Sequence, residues 1–266
     1  MIIPLVDYHI HTPLCGHAKG DPEEYVKRAM ALGLREIGFS DHAPLVSHDD
    51  PSITMSMDQL PDYHRMVEDL QKRFPDFTIR LGIEADFIKG FEAQTKAILE
   101  GYPYDYVIGS VHYLDRWAFD NPDERQKWDD KDVDEVYCGY FDLLRRSAQS
   151  GLFDIIGHVD LVKKFGHRPT KNLDEEIKKT ARVFEETGMV IEINTAGLRK
   201  PVKEIYPSLN DLSSYCEAGV PITFGSDSHD PSQVAQDFDK AARLAKEAGY
   251  ADYLLFERRR TKRAVL

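Results

Sequence analysis

Seven short apolar, β-branched runs alternate with seven amphipathic segments of helical length along this chain, and that alternation constrains its fold more than any other feature. The runs fall at residues 5–9, 36–40, 78–83, 106–110, 154–157, 190–194 and 221–225. The helical segments fall at 22–32, 57–73, 92–100, 132–150, 173–187, 209–217 and 231–248, where the apolar period changes from near two to near 3.6. "DPEEYVKRAMALG" shows the helical type, with Asp21 as N-cap, Pro22 in the first turn and Gly33 beyond the last. Glycines in "SGLFD", "ETGMV" and "EAGVP" stand where a left-handed cap separates helix from strand. Strict alternation implies parallel strands joined by right-handed crossovers, closed as a barrel or open as a doubly wound sheet.

The residues that end the runs favour the barrel. An open sheet gathers its site at one switch point, whereas here a histidine or carboxylate finishes almost every strand, as at the C-terminal face of a barrel. Neither GxGxxG nor GxxxxGK[ST] occurs, which removes the usual dinucleotide and nucleoside triphosphate readings. Two connections, "APLVSHDDPSITMS" and "LDRWAFDNPDERQKWDDKD", are long for a barrel and are expected to overhang its mouth.

At 266 residues and 42% hydrophobic composition, residues 1–266 are expected to form one domain. No leader-like segment follows Met1 and no apolar run is long enough to span a bilayer, so the expected location is cytoplasmic, with no membrane partner. A net charge of -12 repels nucleic acid, so none is expected as a partner, and any anionic substrate needs local positive charge. The basic tail from Arg258 reads as a solvated, frayed terminus. Cys15, Cys138 and Cys216 are scattered, without a CxxC pair, and read as reduced thiols, Cys15 in a packing role. Oligomeric state is left open by the sequence.

The strand ends carry the chemistry. His9 and His11 are two apart, which turns both imidazoles to one side of a strand. A lone HxH is weak evidence, but the other strands add Asp41 and His42, Glu84, His112, His158, and Asp227 with His229, while His17 follows the first strand. Imidazole with carboxylate is the donor set of zinc, iron or manganese. His48, His64 and His167 fall outside this pattern and read as surface or packing residues.

On these residues the chain resembles the PHP (polymerase and histidinol phosphatase) family. The motifs are "DYHIHT" (7–12), "GHA" (16–18), "SDHA" (40–43), "GIEAD" (82–86), "GSVHY" (109–113), "IGHVDL" (156–161) and "GSDSH" (225–229), in order along nearly the whole chain. The resemblance implies a distorted seven-stranded (β/α)7 TIM-like barrel of PHP type with three metal ions at its C-terminal face. By position, it implies one ion at His9, His11, Glu84 and Asp227, a second at Glu84, His112 and His158, and a third at His17, His42 and His229. Glu84 bridges the first two. The stretch "NTAGLRKPVKEIYP" (194–207) is similar to that of stand-alone histidinol-phosphate phosphatases, although related protein-tyrosine phosphatases share the metal motifs.

The implied reaction is hydrolysis of a small phosphomonoester, histidinol phosphate, by metal-activated water. Asp41 is the candidate general acid, or else a partner that orients a ligand imidazole; Asp7 and Asp160 are read as such orienting partners. Arg199 is expected to offer phosphate a planar fork and Lys163 a point charge. The acidic loop 115–130, with its tryptophans, is read as a site for the substrate's cationic amine. A binuclear amidohydrolase shares the HxH plan but leaves His17, His42 and His229 without a role, and a non-enzymatic metal module shares the histidines alone.

Overall fold

The apolar runs become largely buried strands, because helices cover one face and the opposite face turns into a packed interior. The structure, a computed structural model, describes residues 6–266; Leu5, expected to open the first strand, lies outside the described residues. Four strands come first, β1 (Val6–Ile10), β2 (Glu36–Phe39), β3 (Thr78–Asp86) and β4 (Tyr106–Ser110). A small hairpin of β5 (Tyr113–Leu114) and β6 (Trp117–Ala118) follows, then β7 (Ile155–Ile156), β8 (Val190–Asn194) and β9 (Ile222–Gly225), and finally β10 (Asp252–Glu257) and β11 (Arg260–Val265). The parallel order β1-β2-β3-β4-β7-β8-β9 makes a seven-stranded sheet. Its ends meet through His11 N–H to Ser228 O (2.9 Å) and Ser228 N–H to His9 O (3.1 Å), so the barrel is nearly closed. Asp7 reinforces the seam by accepting from Ser226 N (2.9 Å), Ser226 Oγ (2.5 Å) and Ala235 N (2.9 Å).

Helices α1 (Pro22–Ala31), α2 (Leu60–Arg73), α3 (Glu92–Leu99), α4 (Val133–Gln149), α5 (Asp174–Thr187), α6 (Leu209–Glu217) and α7 (Phe238–Glu247) surround the sheet. The expected cap of α1 is present as a full capping box between Asp21 and Glu24, and Gly188 ends α5 at φ 70°.

Three expectations are corrected. β3 runs to Asp86 because its first half pairs with β2 (Thr78 to Glu36) and its second with β4 (Gly82 to Tyr106), a stagger that barrel closure demands. The last helix does not start at Pro231: a single 3-10 turn, Pro231–Gln233, is followed by a break whose Ala235 N–H is held by Asp7, and α7 begins at Phe238. The basic tail is not frayed. It folds into the β10–β11 hairpin, in which Arg258 N–H binds Asp105 (2.9 Å) and Arg259 binds both oxygens of Asp154 (3.1 and 2.9 Å) and Leu152 O (2.8 Å).

Aromatic rings fill the interior. Tyr106 stacks near Tyr8 at 4.8 Å between centroids and donates to Tyr8 O at 2.7 Å. Its ring occupies the space beside Gly38 and Gly82, where a β-carbon would overlap it. Phe256 of β10 packs on both tyrosines at 5.9 Å, so the terminal hairpin belongs to the same core. Arg259→Ala leaves the half-buried carboxylate of Asp154 with one fewer cation. We expect a loss of about 1–2 kcal/mol, read as a fall of several degrees in Tm; an unchanged Tm would mean that the hairpin does not brace β7. Among the described residues, no helix is long and apolar enough to cross a membrane.

Candidate metal centre

Glu84 is the hub. It sits on β3, 1% exposed, and five imidazoles from four different segments surround its carboxylate. The nitrogen–oxygen distances are 3.3 Å to His9, 3.7 Å to His11, 2.8 Å to His42, 3.8 Å to His112 and 3.1 Å to His158. His9 and His11 flank Ile10 at the end of β1, with ring centroids 5.0 Å apart, as their two-residue spacing predicts. His42 reaches Glu84 because the chain beyond β2 continues as an isolated parallel bridge to β3. His112 and His158 lie just past β4 and β7. Asp227 and His229 lie just past β9, with Asp227 Oδ1 3.2 Å from His11 Nε2.

The donor atoms gather into overlapping groups, each within 4.8 Å: His9, His11 and Glu84; His42, Glu84 and His112; and His17, His42 and His229. His229 stacks on both His11 (4.0 Å) and His17 (4.5 Å). All nine expected metal-binding side chains therefore converge on one mouth. Cys15, expected only to pack, also has its sulfur within 4.8 Å of nitrogens of His11 and His229. His158 and Asp227 hold left-handed backbone, φ 26° and 53°, a local strain of the kind that collects at working sites.

A ring of acceptors behind the imidazoles sets their orientation. Glu192 Oε1 lies 2.7 Å from His9 Nδ1, while its Oε2 accepts from His158 N (2.9 Å) and Asn194 Nδ2 (3.0 Å). Asp86 Oδ1 lies 3.0 Å from His112 Nδ1. Carbonyls of Cys15 and Asp227 lie 2.9 and 3.2 Å from the Nδ1 atoms of His17 and His229. Sequence reasoning missed Glu192 and Asp86. The available signals were a carboxylate in the middle of the apolar run "VIEIN" and an aspartate two residues after Glu84, on the same face of β3. Gly225 makes room for this ring, because a β-carbon there would overlap Glu192 Oε1.

Other expected residues stand differently. Asp41 is fully buried, 3.3 Å from His11 Nδ1, and accepts from the backbone of His42 (2.9 Å) and from Thr12 N (3.2 Å) and Oγ1. Its contacts are those of an orienting partner, and a general acid facing the open mouth is not what they describe. Lys163 is 1% exposed and bound to Asp160 (2.6 Å), Glu204 (3.3 Å) and Ile205 O (2.8 Å), so its charge is consumed internally rather than offered to phosphate. Asp160 pairs with Lys163 and Ser208 N, and Asp7 with the β9 seam, so neither orients an imidazole. Arg199 binds Ser226 O (2.6 Å) and Asp227 O (3.1 Å) through Nη2, and its buried Nη1 has no partner. In the long loop, Trp117 and Trp128 are buried anchors, Trp128 stacking on His167 at 4.4 Å, which corrects their reading as substrate-facing groups. Asp120 of that loop pairs with Lys164 at 2.8 Å; burial would raise its carboxyl, but Lys164 holds it at about 2.

The electrostatics differ between the two halves of the mouth. Burial alone would lower the His11 and His112 imidazoles, but nearby carboxylates, Asp227 and Asp41 for the first and Asp86 for the second, hold them up at about 9 and about 10. Burial also opposes ionisation of Glu84, yet His42 and His9 keep it well below the usual carboxylate range. Burial and the neighbouring imidazoles of His42 and His11 push His17 down to about 4, and burial and His11 lower His229. A metal ion needs neutral imidazole. Below about pH 9 His11 is protonated in the metal-free chain, so a cation taken up at the Glu84 side displaces protons, whereas His17 and His229 are neutral at pH 7. Calorimetric titration of metal-free protein in two buffers of different ionisation enthalpy is expected to show proton release at pH 7 and affinity that rises with pH towards 9. Buffer-independent heats would contradict this.

The residues fit divalent metal ions. His9 Nε2, His11 Nε2 and His229 Nε2 are buried polar atoms without a hydrogen-bond partner, and each faces a donor set of nitrogen and carboxylate oxygen suited to such ions. A family model described as PHP domain matches residues 7–196. The chain is 41% identical over 249 residues to a protein of Deinococcus radiodurans named probable histidinol-phosphatase, covering 92% of this chain and 94% of that one. It is 30% identical over 261 residues to the histidinol-phosphatase of Bacillus subtilis, covering 88% and 96%. Among solved structures it is similar to the histidinol phosphate phosphatase of Lactococcus lactis, crystallised with zinc, L-histidinol and phosphate, at a TM-score of 0.81 and 25% identity, over 97% of this chain and 98% of that one.

Proposed function

This chain belongs to the PHP domain family, and from that membership we propose that it is a metal-dependent phosphomonoesterase that hydrolyses histidinol phosphate to histidinol and phosphate, acting as a single domain. The observation that carries the reading is the surrounding of one buried carboxylate, Glu84, by five imidazoles at 2.8–3.8 Å. The similarity to histidinol-phosphatases along nearly the whole chain supports the substrate.

Three ions are the number we propose: one held by His9, His11, Glu84 and Asp227, a second by Glu84, His112 and His158, and a third by His17, His42 and His229. Zinc, present in the Lactococcus lactis structure, suits these donors, as do iron and manganese. Bound ions of this kind supply positive charge to the phosphate oxygens and lower the pKa of water. The chain's own contribution is to hold and aim the donors. Glu192, Asp86 and Asp41 accept at the Nδ1 side of His9, His112 and His11, which fixes each ring with its Nε2 towards the mouth. Arg199, pinned through Nη2, keeps Nη1 free to donate to a phosphate oxygen. Lys200, whose ammonium is lowered by burial despite the nearby charge of Asp227, adds positive charge beside Arg199 and Lys164.

Phosphate release from histidinol phosphate, measured alongside p-nitrophenyl phosphate, a phosphotyrosine peptide and an amide panel, with elemental analysis of the same protein, tests the reading. Turnover confined to amides, or bound metal without phosphate release from any monoester, would overturn it. Arg199→Ala is expected to lower kcat/KM roughly ten- to a hundredfold, the loss of one charge-assisted hydrogen bond, with metal content unchanged. Unaltered kinetics would remove Arg199 from the phosphate site.

A further inference from the structure

Cys15 stands in the wall of the metal mouth without a place in any of the three proposed ion sites. A 3-10 turn, Pro13–Cys15, follows β1, capped by Thr12 through Leu14 N and ended by Gly16 in left-handed backbone at φ 82°. A β-carbon on Gly16 would overlap Pro51 O, so the turn lies tight against the long loop after β2, which fixes where the sulfur sits. The residue is 0% exposed and its thiol is free. Its sulfur and one ring nitrogen each from His11 and His229 all lie within 4.8 Å of one another. Bonds of about 2.3 Å to sulfur and 2.0–2.1 Å to nitrogen put the donors of one shared ion roughly 3.6 Å apart, so a small inward turn of the side chains completes a three-donor seat.

The surroundings suit a bound cation better than packing alone. The imidazoles of His11 and His229 stack at 4.0 Å, and the Nε2 atom of each is buried without a hydrogen-bond partner. The backbone N–H groups of His17 and Ala18 donate to the sulfur, an arrangement that favours a sulfur carrying negative charge. In the metal-free chain burial and Asp41 keep the group a thiol, so an entering cation replaces that proton, which passes to solvent. One nitrogen lone pair serves one cation. Because His11 belongs to the proposed first ion and His229 to the third, a cation on Cys15 draws a donor away from each.

We propose that Cys15, His11 and His229 form a further cation seat, selective for thiophilic cations such as cadmium or excess zinc, whose filling withdraws ligands from the first and third ions and stops phosphate release. Selectivity comes from the sulfur, a soft donor that favours these ions over manganese. His229, with a side chain 22% exposed, is the side of the seat that faces solvent. The effect on turnover rests on the phosphatase reading; the bond to sulfur and the displacement of resident ions do not.

Cadmium(II) added to metal-loaded protein carrying Cys138→Ser and Cys216→Ser, in which Cys15 is the single remaining thiol, tests it by ultraviolet absorption, elemental analysis and phosphate release in parallel. Expected is a sulfur-to-cadmium charge-transfer band that saturates at one cadmium per chain, reverses with chelator and grows as phosphate release falls. Elemental analysis should show a resident ion leaving as cadmium enters, a readout that does not depend on turnover. Zinc in excess should inhibit in the same way, and manganese should not. Adding Cys15→Ser should remove the band and raise the cadmium needed for half-inhibition about tenfold or more, at least the effect of losing a partner behind a ligand. The band alone identifies the sulfur, so the test holds if that variant does not fold. Cadmium bound without the band overturns the proposal and leaves the metal centre intact. A band with every resident ion retained overturns the sharing of His11 and His229, and with it the proposal.

Discussion

Glu84→Gln is expected to lower phosphate release by roughly a hundred- to a thousandfold or more and to strip metal from the protein. Among the described residues, the Glu84 carboxylate alone lies near five imidazoles at once, its two oxygens 2.8 Å from His42 to 3.8 Å from His112. Glutamine keeps the volume but removes the negative charge that two neighbouring cations would share in the proposed arrangement, and its amide nitrogen turns a donor towards donors. The loss therefore extends to every donor group that includes Glu84, while His17, His42 and His229 keep their own grouping. Elemental analysis should show partial rather than complete metal loss, with phosphate release close to background. A variant that retains full metal and turns over normally would remove the bridging role, and the phosphoesterase reading would lose its centre.

The second large effect is expected at a residue that touches no substrate. Glu192 serves three donors with two oxygens: His9 Nδ1 at 2.7 Å, His158 N at 2.9 Å and Asn194 Nδ2 at 3.0 Å. In Glu192→Gln one of those oxygens becomes an NH2 group, so at least one donor is left facing a donor in a buried setting. The His9 ring then loses the acceptor that keeps its proton on Nδ1 and its lone pair on Nε2. Metal affinity, read by chelator competition, should fall about ten- to a hundredfold, and turnover at saturating metal should recover most of its value. A fall in turnover with unaltered affinity would show that Glu192 does something other than aim His9 and His158. Glu84 and Glu192 are thus separable: one is expected to hold the ions, the other to hold a holder.

Much of this arrangement was legible before any coordinates. The alternation of runs and helices predicted the parallel barrel, and the polar residues that close each run predicted which side chains meet at its mouth. His9 and His11 could be placed on one face because strand geometry has a period of two. What escaped were residues whose role depends on a partner far away in the chain. Glu192 lies 183 positions from His9 and reads locally as an odd carboxylate in a hydrophobic strand. Lys163 looked like a free cation although Asp160 stands three residues before it, because Glu204 and Ile205, which also hold its ammonium, lie beyond a crossover and reach it only through packing. The basic tail looked solvated because the carboxylates that hold it, Asp105 and Asp154, sit on other segments.

The division has a physical cause. Periodicity, capping and the chemistry of single side chains are local properties, written within a few residues of one another, and they determined by themselves the strands, the helices and the kinds of donor that each strand end presents. Which imidazole faces which carboxylate, which charge is already neutralised and which polar atom is left buried without a partner depend on barrel stagger and on contacts across many tens of residues. Those were decided only when the sheet closed, since a nitrogen and an oxygen three ångströms apart in space carry no mark of that distance in the order of the chain.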